Sequence, residues 1–377
     1  MTDGIRTLPT EIVLQILSYL SFEDLLAFGA TSRSNYEYHT VSVKRMRLGV
    51  FEKRVHSVIS LLQAGWANPD QFVRLWGNGE EEPSYTIAVV HPQSRTSKRE
   101  SKGEHSADSR RRASAHEGPR TQEQMIRLQN QIFTRALRKY GPSLRYLEFM
   151  AYDLNLDGAA ALGSNCQHTL RHLALRFEHP HIRDGLMRPT TWHQPAPASE
   201  VWNSLIGIGP RCKSSGLGNL ETLILERAGI TPWQLMMLVK RNPGLRTLKL
   251  RSCRGARSDF LFWLGGLKNE FDDDETKDAD EPAPGAKLEV LWLEHCHKLL
   301  EHPIEEGEMP SDEKRDSGFE WVRGLKSLQS LSFSESANIP SELIDRANKT
   351  IWKIPDVILP YCLYDENTHI AVDPRWK

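Results

Sequence analysis

Cys166, His168 and His172 place a thiol and two imidazoles within one short stretch, the donor types of a zinc site. They straddle the start of TLRHLAL, where alternation sets His172 on the face opposite Leu173. That spacing fits a strand face better than a tetrahedral shell, and Cys296, His297 and His302 are read the same way. DLNLDG at 153–158 opens like a calcium-binding loop. The twelfth position, which needs a bidentate Glu, holds Ser164, so Asp157-Gly158 is read as a turn and cap leading into GAAALG. GIGPRC and GLGNLE carry Gly pairs without the third Gly of a dinucleotide loop, and no GxxxxGK[ST], HExxH or GxSxG occurs. No stretch assembles a nucleophile, a base and an oxyanion donor. The expectation is a non-catalytic protein with no metal and no cofactor. RRRAS sets Arg111 and Arg112 before Ser114 in the order that basophilic kinases favour, a match that an Arg/Ser tract also produces by composition.

With catalysis set aside, the elements that position surfaces become the question. The chain of 377 residues allows about two or three domains. Its apolar fraction of 39% and charged fraction of 26% suit a globular protein with some polar unstructured sequence. No apolar run is long enough for a membrane span, and neither a signal peptide nor a membrane partner is expected. Five cysteines, odd in number and never paired as CxxC, point to reduced thiols and a location in cytoplasm or nucleus. A net charge of -1 exerts no global pull toward nucleic acid.

One pattern organises the second part of the chain. The core LxxLxL, with Phe allowed last, recurs as LRYLEF from Leu144, LRHLAL from Leu170, LETLIL from Leu220, LRTLKL from Leu245, LEVLWL from Leu288 and LQSLSF from Leu328. The intervals are 26, 50, 25, 43 and 40 residues, and the long ones contain polar, Pro-rich or acidic insertions at about 176–219, 269–286 and 301–318. A period of roughly 25 residues lies in the leucine-rich-repeat range. QEQMIRLQNQIFTRALRKYGPS and TPWQLMMLVKRNPG, each before a core, show helical spacing ended by a Gly/Pro breaker. Each unit is therefore expected to be a helix, a turn and a short strand, stacked as an α/β solenoid with parallel strands on the concave face. Cys253 and Cys296 follow the last Leu of their cores by three places, where such repeats carry Asn or Cys to cap the turn.

The N-terminus carries a different signal. On a helical wheel Ile12, Val13, Leu14, Ile16, Leu17, Tyr19 and Leu20 cover about two thirds of the circumference, more than one core can take. Pro9 suits a first turn, and Ser21 with Asp24 is a cap between this helix and SFEDLLAFGA. TSRSNYEYHTVSVKRMRLGVFEK is read as a third, charged helix. About 45 residues cannot bury so much apolar surface among themselves, which leaves a partner protein as its cover.

Leu8, Pro9, Glu11, Ile12, Ile16, Leu17, Leu20, Asp24, Leu25 and the Ser32-Arg33 pair, in this order and spacing, resemble an F-box over residues 4–49. The Trp often found after the Ser-Arg pair is missing, with Tyr36 and Tyr38 nearest. The resemblance implies an all-α three-helix F-box at 1–50 that binds the Skp-family adaptor of SCF cullin-RING ubiquitin ligases, and through it the cullin. It also implies adaptor contacts at Leu8, Pro9, Glu11, Ile12, Ile16, Leu17, Leu20 and Leu25. The remaining boundaries are a helical continuation at 51–90, a disordered basic linker at 91–122 and a leucine-rich-repeat-like domain at 123–377. IPSELIDRANKTIWKIPDVILPYCLYD is expected to cap the open end of the array.

In a leucine-rich strand the Leu residues point inward and the residues between them face the concave surface. That register predicts exposed positions at Tyr146, Glu148, His172, Arg176, Ile224, Glu226, Lys249, Arg251, Trp292 and Glu294, a surface suited to a protein target. The expected role is a substrate-recognition subunit of an SCF-type ligase. A leucine-rich-repeat scaffold acting outside any ligase is the alternative, and adaptor binding separates the two.

Overall fold

A computed structural model describes residues 8–51, 84–90, 122–177, 200–209, 216–267, 282–300, 316, 318–336 and 339–360. Three short helices open the chain: α1 (Thr10–Leu17), α2 (Phe22–Thr31) and α3 (Arg33–Ser42). Pro9, with ψ at 145°, is the residue from which α1 starts, since its ring fixes φ and it has no N–H to leave unpaired. The expected Ser21/Asp24 cap is present. The Asp24 N–H donates to Ser21 Oγ at 3.1 Å, and Ser21 Oγ donates to the Asp24 carboxylate at 2.7 Å. Ser32 caps α3 in the same way through the Asn35 N–H.

The third helix is shorter than its charged sequence suggests. It stops at Val43, and the chain runs at once into strand β1 (Arg45–Phe51). The reason is a change of period: Met46 and Leu48 alternate with Arg45 and Arg47, so an extended chain buries both apolar residues where a helix would scatter them. β2 (Ser84–Val90) is likewise a strand where a helical continuation is expected, and residues 52–83 lie outside the described residues. The expected linker also lies outside them, apart from Gln122, the first residue of a helix.

The strands β3 (Tyr146–Ala151), β4 (His172–Phe177), β5 (Thr222–Glu226), β6 (Thr247–Arg251), β7 (Val290–Glu294), β8 (Ser330–Ser332) and β9 (Asp356–Ile358) complete one parallel sheet. Its order is β2-β1-β3-β4-β5-β6-β7-β8-β9. Each LxxLxL core supplies one strand from β3 to β8, so the chain has three N-terminal helices followed by a leucine-rich-repeat-like α/β solenoid. The last segment contributes β9 to the end of the sheet, pairing with β8.

Two rows of the sheet are apolar. Met46, Leu147, Leu173, Leu223, Leu248, Leu291 and Leu331 form one register row, and Leu48, Phe149, Leu175, Leu225, Leu250 and Leu293 form the next. All are buried in one hydrophobic core with the helices α4 (Gln122–Tyr140), α5 (Leu156–Asn165), α6 (Glu200–Ile206), α7 (Pro232–Arg241), α8 (Ser258–Leu264) and α9 (Ser341–Ala347). Phe133 of α4, for instance, stacks on Phe149 with centroids 3.9 Å apart. Burying one such Leu side chain is worth about 2 kcal/mol over leaving it in water.

Buried polar side chains fix the turns. Asn155 caps α5 by accepting the Gly158 N–H, so the cap of the DLNLDG turn is Asn155 and Asp157 sits in the first helical turn. Asn130 of α4 braces this turn from behind, donating to the Asp153 carbonyl and accepting the Asn155 N–H. Cys253 Sγ donates to the Leu225 carbonyl at 3.2 Å and Cys296 Sγ to the Glu294 carbonyl at 3.3 Å, the expected turn-capping role. Burial pushes the Cys296 thiol up to about 12, so it stays protonated and able to donate.

The N-terminal helices join the sheet without a spacer. At the start of each strand from β3 to β8 a carbonyl accepts two successive N–H groups: for example, Arg145 serves Arg171 and His172, Arg171 serves Glu221 and Thr222, and Glu221 serves Arg246 and Thr247. Lys44, two residues past α3, occupies the first such place and serves Arg145 and Tyr146. Ser143 Oγ lies 2.9 and 3.0 Å from the carbonyls of Thr40 and Val43. His39 Nε2 is hydrogen-bonded to Tyr140 Oη at 3.0 Å, and Phe22 meets the Tyr140 ring edge-on. Val13, Leu17 and Leu25 belong to the same core as Phe133 and Leu137 of α4.

Candidate interaction surfaces

The apolar wheel of α1 is divided between two environments. Val13 and Leu17 are each 2% exposed and face the core, where Leu25 of α2 is also fully buried. Ile12 at 42% and Ile16 at 50% face solvent, continued by Leu8 before the helix, Tyr19 at 82% after it and Leu26 of α2. A spacing of four residues places Ile12 and Ile16 along one side of the helix, and Tyr19 follows in the turn after it. Pro9 and Glu11 are exposed beside them, and Leu20 is half-buried against the core. Of the eight expected adaptor contacts, Leu17 and Leu25 are therefore not available at the surface. The wheel was wide enough for two faces, and these two lie on the inner one. Tyr19 and Leu26 are the exposed neighbours that the pattern did not single out. A large apolar side chain at the end of the apolar stripe was the signal for Tyr19.

On the sheet face opposite the leucines, the expected residues do share a side, but they are less exposed than predicted. Tyr146, Glu148, His172, Ile224 and Glu294 are buried, while Arg176, Glu226, Lys249, Arg251 and Trp292 are half-buried. Contact across strands is the reason. Tyr146 stacks on His172 with centroids 3.9 Å apart and planes 13° from parallel. Arg47 donates to Tyr146 Oη at 3.3 Å and lies 3.6 Å from the Glu148 carboxylate, to which Tyr146 Oη also donates. Arg176 donates to Glu226 at 3.0 Å, and Arg251 reaches both Glu294 and Glu335. Lys249 Nζ lies 3.3 Å from the Trp292 ring centroid, and Trp292 Nε1 donates to Ser330 Oγ.

In register, Arg176, Glu226, Arg251 and Glu294 are direct neighbours on successive strands, a row of alternating charge. Burial, reinforced by Arg45, Arg176, Lys249 and Arg47, drives the His172 pKa far down, so this imidazole is neutral. Lys249 is pushed down to about 8, mainly by burial and further by Arg176, against the pull of Glu294.

Just beyond these strands, Arg227, Ser252, His295 and Glu335 adopt left-handed backbone with φ between 50° and 58°. A non-Gly residue there is uncommon and costs of order 1 kcal/mol or more. The conformation is held by hydrogen bonds to the next repeat: the Arg227 N–H donates to Arg251, Ser252 to Glu294 and His295 to Ser334.

Cys166 is buried at the end of α5, and His168 lies in the turn after it, while His172 is stacked on the opposite sheet face. These three potential ligands thus serve different surroundings. No helix among the described residues is long and apolar enough to cross a membrane.

Residues 5–38 match the family model described as F-box-like, which covers all of α1 and α2 and most of α3. The chain therefore carries an F-box-like domain at its N-terminus, followed by a parallel α/β region to which no family name attaches. No curated protein matches the chain.

Proposed function

We propose that this protein is a non-catalytic substrate-recognition subunit of an SCF-type cullin-RING ubiquitin ligase. Its N-terminal helices dock to a Skp-family adaptor, and its sheet holds a protein target. The observation that carries this reading is the solvent-facing set Leu8, Ile12, Ile16 and Tyr19, which lies within the F-box-like match and is exposed although Val13 and Leu17 of the same apolar wheel pack inward. Large apolar anchors on a helix face are the usual means by which a helical partner is engaged, and a few of them dominate the binding energy.

The short joint through Lys44 and Ser143 supports the same role. A target held on the sheet would keep a defined position relative to the adaptor, so the chain contributes proximity to chemistry performed by other subunits. Co-expression with a Skp-family adaptor tests the reading by size-exclusion chromatography. A stoichiometric complex, lost in an Ile12→Glu/Ile16→Glu variant that still folds, is the expected result. A folded, monodisperse wild-type chain that elutes apart from the adaptor overturns it in favour of a scaffold outside any ligase.

A further inference from the structure

The sheet face opposite the leucines carries more positive than negative charge over its first strands, and the excess is traceable to particular residues. From β1 to β6 the charged residues in register on this face are Arg45, Arg47, Glu148, Arg176, Glu226, Lys249 and Arg251. Arg47 pairs with Glu148, Arg176 with Glu226, and Arg251 with Glu294 and Glu335. Arg45 is different. Its guanidinium carbon lies 4.7 Å from the Tyr146 centroid, its Nε is buried without a hydrogen-bond partner, and no carboxylate among the described residues pairs with it. At the other end of this span Lys249 lies over the Trp292 ring. Neutral His172 sits between them, surrounded by four cations and adding no charge of its own.

Arg45 and Lys249 are four strand spacings apart across the sheet, about 19 Å, the reach of roughly six extended residues. Both are half-buried.

We propose that this face receives an acidic segment of the target protein, laid across β1 to β6 with carboxylates against Arg45 at one end and Lys249 at the other. This rests on the substrate-receptor reading and specifies the class of target. A polypeptide is favoured over a nucleic acid because Glu148, Glu226 and Glu294 interrupt the cations strand by strand. A phosphodiester backbone carries one negative charge at every step and would be repelled at those places, whereas a peptide can set neutral or basic residues there. The aromatic surfaces of Tyr146 and Trp292, already covered by cations, orient the guanidinium and the ammonium.

The test is fluorescence anisotropy with the full chain and three labelled decapeptides that differ only in carrying Glu, Gln or Lys at alternate positions, with a ten-nucleotide single-stranded RNA as competitor. The Glu peptide is expected to bind at least 10-fold tighter than the others and to weaken with added salt. Arg45→Gln and Lys249→Gln should each reduce its affinity about 10-fold, while Arg45→Lys retains most of it. Equal binding of the three peptides, preference for the Lys peptide, no binding of any, or displacement by the RNA at lower concentration than by unlabelled Glu peptide each overturns the proposal. Adaptor co-elution of Arg45→Gln serves as the folding control and reads the ligase assignment separately. A variant that keeps the adaptor but loses the peptide supports the acidic target. A wild-type chain that binds the peptide but no adaptor defeats the ligase reading and leaves the acidic-ligand surface standing.

Discussion

The leucine rows of the sheet and the outer side of α1 are built from the same residue types and meet opposite fates. Leu223, Leu225, Leu248 and Leu250 vanish into the core, each with a helix layer over it. Ile12 and Ile16 are equally apolar and regularly spaced, yet roughly half of each remains in water. Periodic apolar residues are thus a folding signal when the fold supplies a second layer, and a binding signal when it does not. The difference is decided by tertiary context, so the two regions should respond oppositely to substitution.

The largest stability effect is expected in the leucine rows. Leu250→Ala should lower unfolding free energy by about 2–5 kcal/mol, read from urea denaturation, because it removes buried methyl groups and leaves a cavity. The sheet face on the other side should be intermediate. Glu226→Gln removes the carboxylate that Arg176, Arg227 and Arg251 share, and a loss of about 1–3 kcal/mol is expected from three partly buried guanidinium groups left short of charge. A smaller loss in that variant would mean that the alternating row is decorative for folding.

Next comes the joint between the regions. His39 has its pKa lowered, chiefly by burial and then by Lys139, and its Nδ1 is buried without a partner. Neutral His39 therefore favours the folded chain. Its contribution is complete above the ordinary histidine value of about 6.5 and declines as pH falls below it toward the lowered folded value. Melting temperature should drop more steeply between pH 7 and pH 5 in the wild type than in His39→Gln. An identical slope in both would remove this joint from the pH response. The smallest stability effect belongs to α1: Ile12→Ser should stay within about 0.5 kcal/mol of wild type while weakening the adaptor complex.

Much of this was legible in the chain. Six LxxLxL cores gave six strands with correct faces, because a fixed-period motif reports stacking directly. β1, β2 and β9 lack that motif, and RMRLGVF, preceded by a capped helix and rich in Arg, reads as the end of the third, charged helix. Its alternation of Met46 and Leu48 with arginines was the available clue. The exposure of the sheet's other face was overestimated because side-chain register does not reveal cross-strand partners. Aligning the six cores one under another would have set Arg176, Glu226, Arg251 and Glu294 in one column and exposed their alternating charge. On α1, a wheel two thirds apolar announced two faces without saying that Leu17 belonged inside and Tyr19 outside.

The contrast between the two regions comes down to one titration: a purified Skp-family adaptor into the full chain and into its Ile12→Glu/Ile16→Glu variant, by calorimetry, with the unfolding midpoint of each recorded beside it. A one-to-one complex of the wild type that weakens at least 100-fold in the variant, at nearly unchanged midpoint, is the predicted result. Equal affinity in both chains, or no heat of binding from a folded wild type, would contradict the claim that the outer side of α1 is kept apolar for a partner.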